Sequence, residues 1–510
     1  MEDGGQDSAA TGFAPGESPE RGALARRSAL NFSGLAAANA LQFILVLMLA
    51  HGLGQHDAGI FFESFAAVRL LAVLAAFGLD VTAIRQVSVA HARDEATGHV
   101  IRLAVMIAGS VSLAATVVVF AAAPLAADAF GSGQLETVLR VMVVSLPAVV
   151  IQSVLIGATR GTGNMRPFVV VDQIADGVLR VVAIGGVLAL GGGLTATAYA
   201  YTASAVLTMV AAAISAAKLW GDQRPGTVRP WELVRFTSYQ WGASVAGVGL
   251  LWADTLLLGL WRPPAEVAVY SIATRTVLAG MVFILPIGFA FQPVIGRMFT
   301  VGDREGLRSM YSFATKWATI AGCPPLIFLA LFATPVIRLL YQDSYSRGAW
   351  PLALLAIGQT VNAATGPCGH VVTMVGRSDL VFRNSLFALV LNLVLNLVLI
   401  PPYGMVGAGA AWGVSIAAWN VVRLLQVRRV LEMQPFGAWV SSVSLSLGAF
   451  TLAAVVLRLE LPMSSDLAVC LLGALGSGAA YAVALRVTRA VDHHDRVLPG
   501  PVLRLLRIRS

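Results

Sequence analysis

The sequence predicts an all-α integral membrane protein with fourteen transmembrane helices. Only 12% of its 510 residues are charged and 57% are hydrophobic, whereas soluble domains carry about 25% charged residues. The chain contains fourteen apolar stretches, each close to the roughly 20 residues that a helix needs to cross a bilayer. Helices are expected because an open strand cannot satisfy its backbone hydrogen bonds in lipid.

Polar turns separate the predicted segments and set their order. The fourteen segments are 30–52, 58–78, 101–126, 138–158, 167–190, 194–217, 233–260, 267–292, 316–340, 349–373, 380–400, 405–427, 436–457 and 464–487. The longest connections between them are 79–100, 218–232 and 293–315. These connections leave no room for a soluble catalytic domain.

The basic residues predict the orientation of these segments. The N-terminal tail, every second loop and the C-terminal tail together hold 27 of the 35 Lys and Arg residues, and the opposite loops hold five. Cytoplasmic loops carry such an excess, so both termini are predicted to be cytoplasmic. The same rule explains the net charge of +8, and nucleic acid is not an expected partner.

The predicted domain organisation has two lobes and a two-helix addition. Its parts are a disordered cytoplasmic tail (1–27), an N-lobe of helices 1–6 (28–220), a cytoplasmic linker (221–232), a C-lobe of helices 7–12 (233–430), helices 13 and 14 (431–487) and a basic tail (488–510). The N-terminal tail begins with Glu2, Asp3 and Asp7 and lacks the cationic region of a signal peptide.

A self-comparison supports the two lobes. The stretch 193–204, which opens helix 6, aligns without a gap on 404–415, which opens helix 12. An even number of helices per repeat implies that both repeats insert in the same orientation, which is the parallel arrangement of some transporters. Close packing of small residues such as Gly407 and Gly409 would also explain this match.

Three stretches resemble the multidrug/oligosaccharidyl-lipid/polysaccharide flippase superfamily, and within it the polysaccharide (O-antigen type) flippases. The most specific stretch is 392–411, with Asn392, Asn396 and a Pro-Pro-Tyr-Gly turn before a Gly/Ala-rich helix. The Phe-Gly-Leu-Asp motif at 77–80 with Arg85, and the segment 254–275 from Asp254 to Arg275, are also similar to that family.

This resemblance implies two six-helix lobes that form a V around a central cavity, which opens alternately to either face of the membrane. The implied cargo is a polyprenyl-diphosphate-linked glycan, which moves from the inner to the outer leaflet of the cytoplasmic (inner) membrane of a bacterium. The implied partners are the lipid bilayer, a polysaccharide polymerase and glycosyltransferases. The resemblance also implies that the protein is not an enzyme.

Three arginines lie within predicted helices and are the first candidates for a binding site. An ionised group at the centre of a membrane helix costs about 2.5–3.5 kcal/mol on insertion scales, so Arg69, Arg180 and Arg275 point to a hydrated cavity. A guanidinium matches a diphosphate because its fixed fork of donors binds phosphate oxygens in pairs. For Arg180, an ion pair with Asp176 on the same helix face is an equal interpretation.

The intramembrane acids are candidates for ion coupling or for charge compensation. They are Glu63, Asp172, Asp176 and Asp254, and carboxylates at membrane depth relay protons, bind ions or pair with arginines. Asn392 and Asn396 lie one turn apart, as candidates for glycan contact or for packing between helices.

The sequence indicates no catalytic, metal or cofactor site. Cys323, Cys368 and Cys470 lack paired spacing, and no phosphate-binding glycine loop or nucleophile constellation is present. Three alternatives to a polysaccharide flippase stay open: a lipid II flippase, a cation-coupled multidrug exporter and a membrane glycosyltransferase or polymerase. Short outer loops argue against the enzyme, and a cationic cavity argues against an exporter of cations.

Overall fold

The computed structural model describes residues 19–92, 97–220, 230–460 and 465–491, and these ranges are helical without any β-strand. The helices of the N-terminal half (residues 19–220) are α1 Pro19–Gly52, α2 Gln55–Ala76, α3 Leu79–Ala92, α4 Gly98–Ala129, α5 Gly133–Val143, α6 Leu146–Gly161, a π-helix Phe168–Ala175, α7 Asp176–Ala189 and α8 Leu194–Trp220.

The C-terminal half (residues 230–491) continues the same architecture. Its helices are α9 Pro230–Trp261, α10 Pro264–Gly280, α11 Leu285–Thr300, α12 Arg304–Leu331, α13 Ala333–Leu340, α14 Ala349–Thr365, α15 Cys368–Met374, α16 Ser378–Leu431, α17 Trp439–Glu460 and α18 Asp466–Val487, with short 3-10 turns at Met281–Phe283 and Asp343–Gly348.

The predicted all-helical membrane fold is confirmed. Within the described ranges, ten helices are long and apolar enough to cross a membrane. The predicted segments 5, 8 and 10 are interrupted in the structure. Segments 11 and 12 are the two parts of α16 on either side of its kink at Gly404, and counting them as one helix accounts for the rest of the difference from fourteen. The count of fourteen crossings therefore stays a prediction.

Two predicted connections are wrong, because helices occupy most of their residues. Residues 79–92 form α3, whose buried residues Leu79, Ala83 and Val87 lie four apart on one face. This short apolar face is invisible to a search for long hydrophobic runs. The connection predicted at 293–315 shrinks to three residues between α11 and α12.

The predicted tails lie largely outside the described residues. Residues 1–18 and 492–510 are not described, and neither is 221–229 of the predicted linker. Residues 19–27, predicted as part of a disordered tail, form the first turns of α1 instead.

Two helices depart from regular α geometry, one at a point that the sequence did not reveal and one at the predicted Pro-Pro-Tyr-Gly turn. Residues 168–175 form a π-helix in the middle of the fifth predicted segment. In α16, Gly404 adopts φ 57° and ψ −134° and kinks the helix directly after the Pro401-Pro402 pair. A positive φ at this point requires glycine because a Cβ would be strained there.

The two halves meet along α2, which touches α9 and α10. Towards the start of α2, Gly59 packs directly against the main chain of Pro264. Towards its end, Trp241 Nε1 donates to the Val73 carbonyl at 3.1 Å and its ring packs on Phe77 with centroids 4.6 Å apart. Arg69 lies between these two contacts along α2.

Helices α17 and α18 pack on the outside of the C-terminal half. The Tyr481 hydroxyl of α18 donates to the Ile320 carbonyl of α12 at 3.1 Å. On their other side, Leu452 and Leu475 are 67% and 69% exposed. Large apolar side chains facing outward are the surface that lipid requires.

Candidate functional site

The structure brings Arg69, Arg180 and Arg275 together around one cavity of about 440 Å³. Arg69 comes from α2 and Arg180 from α7, both in the N-terminal half, while Arg275 comes from α10 in the C-terminal half. Asp172 and Asp176 line the same cavity. Three predicted cations and two of the four predicted acids therefore face one another between the halves.

Asp172 and Asp176 lie at the junction of the π-helix and α7. The π-helix ends at Ala175, and Asp176 begins the regular α-helix. Single-turn π segments are rare and often occur at functional sites. Gln152 of α6 donates from Nε2 to Asp172 Oδ1 at 3.2 Å, which orients this carboxylate.

Arg180 forms the predicted ion pair and also lines the cavity. Its Nη2 lies 2.7 Å from Asp176 Oδ1, one helical turn away, and its side chain is only 8% exposed. Both residues nevertheless line the cavity. The ion pair therefore forms part of the cavity wall.

Aromatic rings support all three guanidinium groups. Each arginine lies over one ring: Arg69 over Phe65 at 6.0 Å, Arg180 over Tyr201 at 5.3 Å and Arg275 over Trp252 at 3.8 Å from the ring centroid. Such contacts contribute up to about 2 kcal/mol where water is excluded.

One of these rings, Phe65, also contacts the other two. Phe65 meets Tyr201 and Trp252 edge to face, with centroids 5.4 Å and 5.1 Å apart. We call Phe65, Tyr201 and Trp252 the aromatic triad. Trp252 belongs to α9, so the triad joins the two halves as well as supporting the cations. The sequence did not point to the aromatic triad, although Phe65 precedes Arg69 by one helical turn.

Two buried donors in the cavity wall lack a partner. Among the described residues, Nε of Arg180 and Nε of Arg275 have no hydrogen-bond acceptor. An unpaired buried donor costs about 1–3 kcal/mol, and more when it is charged. No group of three or more His, Cys, Asp or Glu side chains that would hold a metal ion occurs within the described ranges.

Glu63 and Asp254 lie away from this cavity. Glu63 is buried beside Gly259, at the contact between α2 and α9, and neither of its carboxylate oxygens has a hydrogen-bond partner in the described structure. Asp254 accepts hydrogen bonds from the Tyr270 hydroxyl and from the Thr255 amide at 2.8 Å. These bonds fix Asp254 within the C-terminal half.

Asn392 and Asn396 lie fully buried within the packing of α16. Asn396 Nδ2 donates to Asn392 Oδ1 at 2.9 Å. Neither residue lines the arginine cavity. Asn392 Nδ2 and Asn396 Oδ1 have no hydrogen-bond partner in the described structure, and a glycan in the arginine cavity would not reach either asparagine in the observed state.

An apolar cavity of about 390 Å³ adjoins the arginine cavity. The two share Phe43 of α1 and Ala279 of α10 as lining residues. The apolar cavity is completed by Phe328 of α12, Phe450 of α17 and Ala474 of α18. A strongly cationic space and an almost purely apolar one therefore lie side by side.

The fold and the cavity define a polytopic helical membrane protein with a cationic binding space between two halves. A family model described as "Polysaccharide biosynthesis protein" matches residues 24–299, which is more than half of the chain. A second family model, described as MatE, matches residues 244–398. The chain belongs to the polysaccharide biosynthesis protein family of the multidrug/oligosaccharidyl-lipid/polysaccharide flippase superfamily, and the resemblance found in its sequence is confirmed.

Individual proteins agree with this family. The "Probable low-salt glycan biosynthesis flippase Agl15" of Haloferax volcanii is 22% identical over 407 residues, covering 78% of this chain and 82% of that protein. The solved structure of lipid II flippase MurJ in an inward closed conformation has a TM-score of 0.71 at 12% identity, covering 91% of this chain and 98% of MurJ. An inward-facing multidrug resistance MATE family transporter has a TM-score of 0.67 at 18% identity, covering 77% and 94%. The two structures support the fold.

Proposed function

We propose that this protein moves a polyprenyl-diphosphate-linked oligosaccharide from the inner to the outer leaflet of the cytoplasmic membrane by alternating access. The observation that carries this proposal is the arginine cavity with an apolar cavity beside it. A lipid-linked glycan is anionic at its diphosphate and apolar along its prenyl chain. The two adjoining cavities match these two parts in chemistry and in order.

The arginines supply the diphosphate site in this proposal. Arg180 and Arg275 both line this cavity, and a guanidinium binds phosphate oxygens through two parallel hydrogen bonds. Asp172 and Asp176 hold the arginines while the site is empty. Because two acids face three arginines, one positive charge remains to attract an anion.

The driving force follows from the charge of the cargo. A diphosphate that leaves an inside-negative cell gains about 2.3 kcal/mol for each charge and each 100 mV, if its charges cross unneutralised. The membrane potential alone is then sufficient to drive the transfer of the cargo. The proposal includes cytoplasmic termini, the inner membrane of a bacterium, and a polysaccharide polymerase and glycosyltransferases as partners.

The alternatives fit the cavity less well. A multidrug exporter of cations needs an acidic cavity, whereas this one carries more arginines than acids. The names of the matched relatives describe flippases and not enzymes, which supports a transporter without catalytic activity. Lipid II is itself a prenyl-diphosphate glycan, so it belongs among the substrates to be compared.

Reconstituted transport tests the proposal. The protein is placed in vesicles with a fluorescent prenyl-diphosphate glycan, and its transfer between leaflets is measured with Arg275→Gln and Arg275→Lys. Loss of a charge-assisted hydrogen bond of about 1.5–3 kcal/mol should lower cargo affinity roughly ten- to hundredfold. Lys should restore it only in part, because a point charge does not reproduce the fork.

Arg423→Gln is the matched control. Arg423 also stacks on a tryptophan of the C-terminal half, at 3.5 Å from the Trp419 centroid, but it does not line the arginine cavity. Transport should survive this change. An equal loss of transport in the Arg275→Gln and Arg423→Gln variants would show that Arg275 serves folding alone. Uptake of a cationic dye in place of the glycan lipid would favour the exporter.

A further inference from the structure

A groove of about 780 Å³ lies apart from the candidate site, at the start of α12. Residues 304–316 of α12 line one wall, and the end of α16 and the segment 432–438, which leads into α17, line the other. We call this space the basic groove. Among the described residues, it shares no lining side chain with the arginine cavity, so the proposed function does not use it.

Three basic residues of α12 line the basic groove. Arg304, Arg308 and Lys316 are separated by four and eight residues, a spacing that places them along one ridge of the helix. Both arginines are exposed, whereas Lys316 is only 7% exposed. Glu305 and Glu432 line the same groove. Three cations against two carboxylates leave an excess of one positive charge, which favours an anionic ligand.

Hydrogen bonds fix the wall that faces α12. The Ser312 hydroxyl donates to the Pro435 carbonyl at 2.7 Å, and Trp439 Nε1 donates to Ser312 Oγ at 3.0 Å. Both bonds attach the segment 432–438 to α12. The groove is therefore formed before a ligand arrives, and a preformed site loses less free energy to ordering when it binds.

Aromatic residues place the basic groove at the boundary of the membrane. Trp439 begins α17, which is long and apolar enough to cross a bilayer. Phe436 is 41% exposed, and its ring centroid lies 6.4 Å from that of Trp439. Tryptophan is enriched at the level of the lipid headgroups. Arg304 and Arg308 belong to the side predicted to be cytoplasmic, where anionic lipids give the membrane surface a negative potential.

We infer that the basic groove binds the headgroup of an anionic phospholipid from the cytoplasmic leaflet. Arg304 and Arg308 contact the phosphate, and Lys316 adds a buried positive charge. Phe436 and Trp439 lie against the glycerol and the first carbons of the acyl chains. Basic pockets between transmembrane helices at this face of a membrane bind such headgroups. A zwitterionic lipid gains less from the groove, because its headgroup carries a cation of its own.

Lipid titration tests the inference. The purified full-length protein in detergent is titrated with phosphatidylglycerol and with phosphatidylcholine, and bound lipid is measured by native mass spectrometry. One basic residue beside an anionic headgroup changes affinity about fivefold, so Arg308→Gln should weaken phosphatidylglycerol binding by about that factor. Ser309→Lys adds a positive charge at an exposed position of the lining and should tighten it to a similar extent. Phosphatidylcholine should respond little to either change.

Arg429→Gln is the matched control. Arg429 is an exposed arginine in the last turn of α16 and does not line the basic groove, so its loss should leave phosphatidylglycerol affinity unchanged. Thermal unfolding establishes that each variant is folded. An equal loss in Arg308→Gln and Arg429→Gln would reveal general attraction to a basic surface and overturn the site. Equal affinity of the unaltered protein for both lipids would overturn it too. Inorganic phosphate that displaces the lipid at equal concentration would assign the groove to a soluble anion instead.

Discussion

The role of Arg180 depends closely on its neighbour Asp176. It pairs with Asp176 at 2.7 Å in a nearly buried position and also lines the arginine cavity. The pair is thus both a structural contact and a part of the candidate site. Separating these roles requires both side chains to be changed.

We expect Arg180→Gln alone to destabilise the protein by about 3–5 kcal/mol, because it leaves the Asp176 charge buried without its partner. Adding Asp176→Asn should restore most of the stability, since removing both charges of a buried pair is often nearly neutral. Thermal unfolding in detergent measures the stability of both variants. Transport in vesicles measures whether the double variant still moves cargo.

The exposed pair Arg140–Glu136 is the control for this cycle. It has the same spacing of four residues, but its side chains are 35% and 33% exposed, so breaking it should cost less than about 1 kcal/mol. A double variant at Arg180 and Asp176 that is stable but inactive would support a role in cargo binding. Full transport by that variant would contradict it.

The sequence identified the charged residues of the site and missed the aromatic ones. An arginine within an apolar helix is conspicuous because of its insertion cost, and Arg69, Arg180 and Arg275 do meet in one cavity. Phe65, Tyr201 and Trp252 are ordinary membrane residues in their own helices. Only the packing of helices that are distant in sequence gives them a shared role.

At the scale of elements, α3 and α6 show how closely two helices approach when glycines face a main chain. Gly157 faces the carbonyl oxygen of Asp80, and Gly161 faces that of Ile84. The Ser88 hydroxyl also donates to the Gly161 carbonyl at 2.7 Å. This contact sets the position of α3, whose first turn carries Asp80.

Gly157→Ala should therefore destabilise the protein by roughly 1–3 kcal/mol, because the added methyl group overlaps main-chain atoms that have little room to move. Gly186→Ala is the control: Gly186 is also helical, but a Cβ there meets no other atom within 4 Å. This control change should be neutral or should stabilise the helix by up to about 1 kcal/mol. Thermal unfolding of both variants is the measurement, and equal melting temperatures would refute the close contact.

Long apolar helices and the turn at Gly404 were predictable from sequence, and two other interruptions were not. The length rule locates α2, α4 and α17 because crossing a bilayer demands a minimum apolar length. The π-helix at 168–175 and the break at Met281–Phe283 leave composition unchanged. Neither interruption therefore carries a signal in a hydrophobic pattern.

At the scale of the whole molecule, the two halves show the same succession of helices. A two-residue turn joins α1 to α2 and another joins α9 to α10. In both halves the second helix is then interrupted, at 77–78 and at 281–284, and continues as α3 or α11. This parallel agrees with the predicted repeat, and the lobe boundaries at 28–220 and 233–430 remain our proposal.

Topology is the test for the molecule as a whole. If the excess of basic residues marks the cytoplasmic side, reporter fusions after Arg93, Gly226, Gly306 and Arg496 should be active in the cytoplasm. Fusions after Gln55, Gly133, Pro263 and Ser346 should be active outside. One reversed site would change the number of crossings between it and the next site, and would refute the two-repeat arrangement.

The contact between Gly59 and Pro264 has a consequence for the speed at which the two halves separate. Gly59 has no side chain, and it meets the main chain of Pro264 directly. Forming such a contact immobilises no rotamer on the glycine side, and breaking it requires no interlocked side chain to withdraw. We therefore expect this end of the bundle to part and rejoin rapidly, so that the slow step of a transport cycle lies with the cargo and not with this junction.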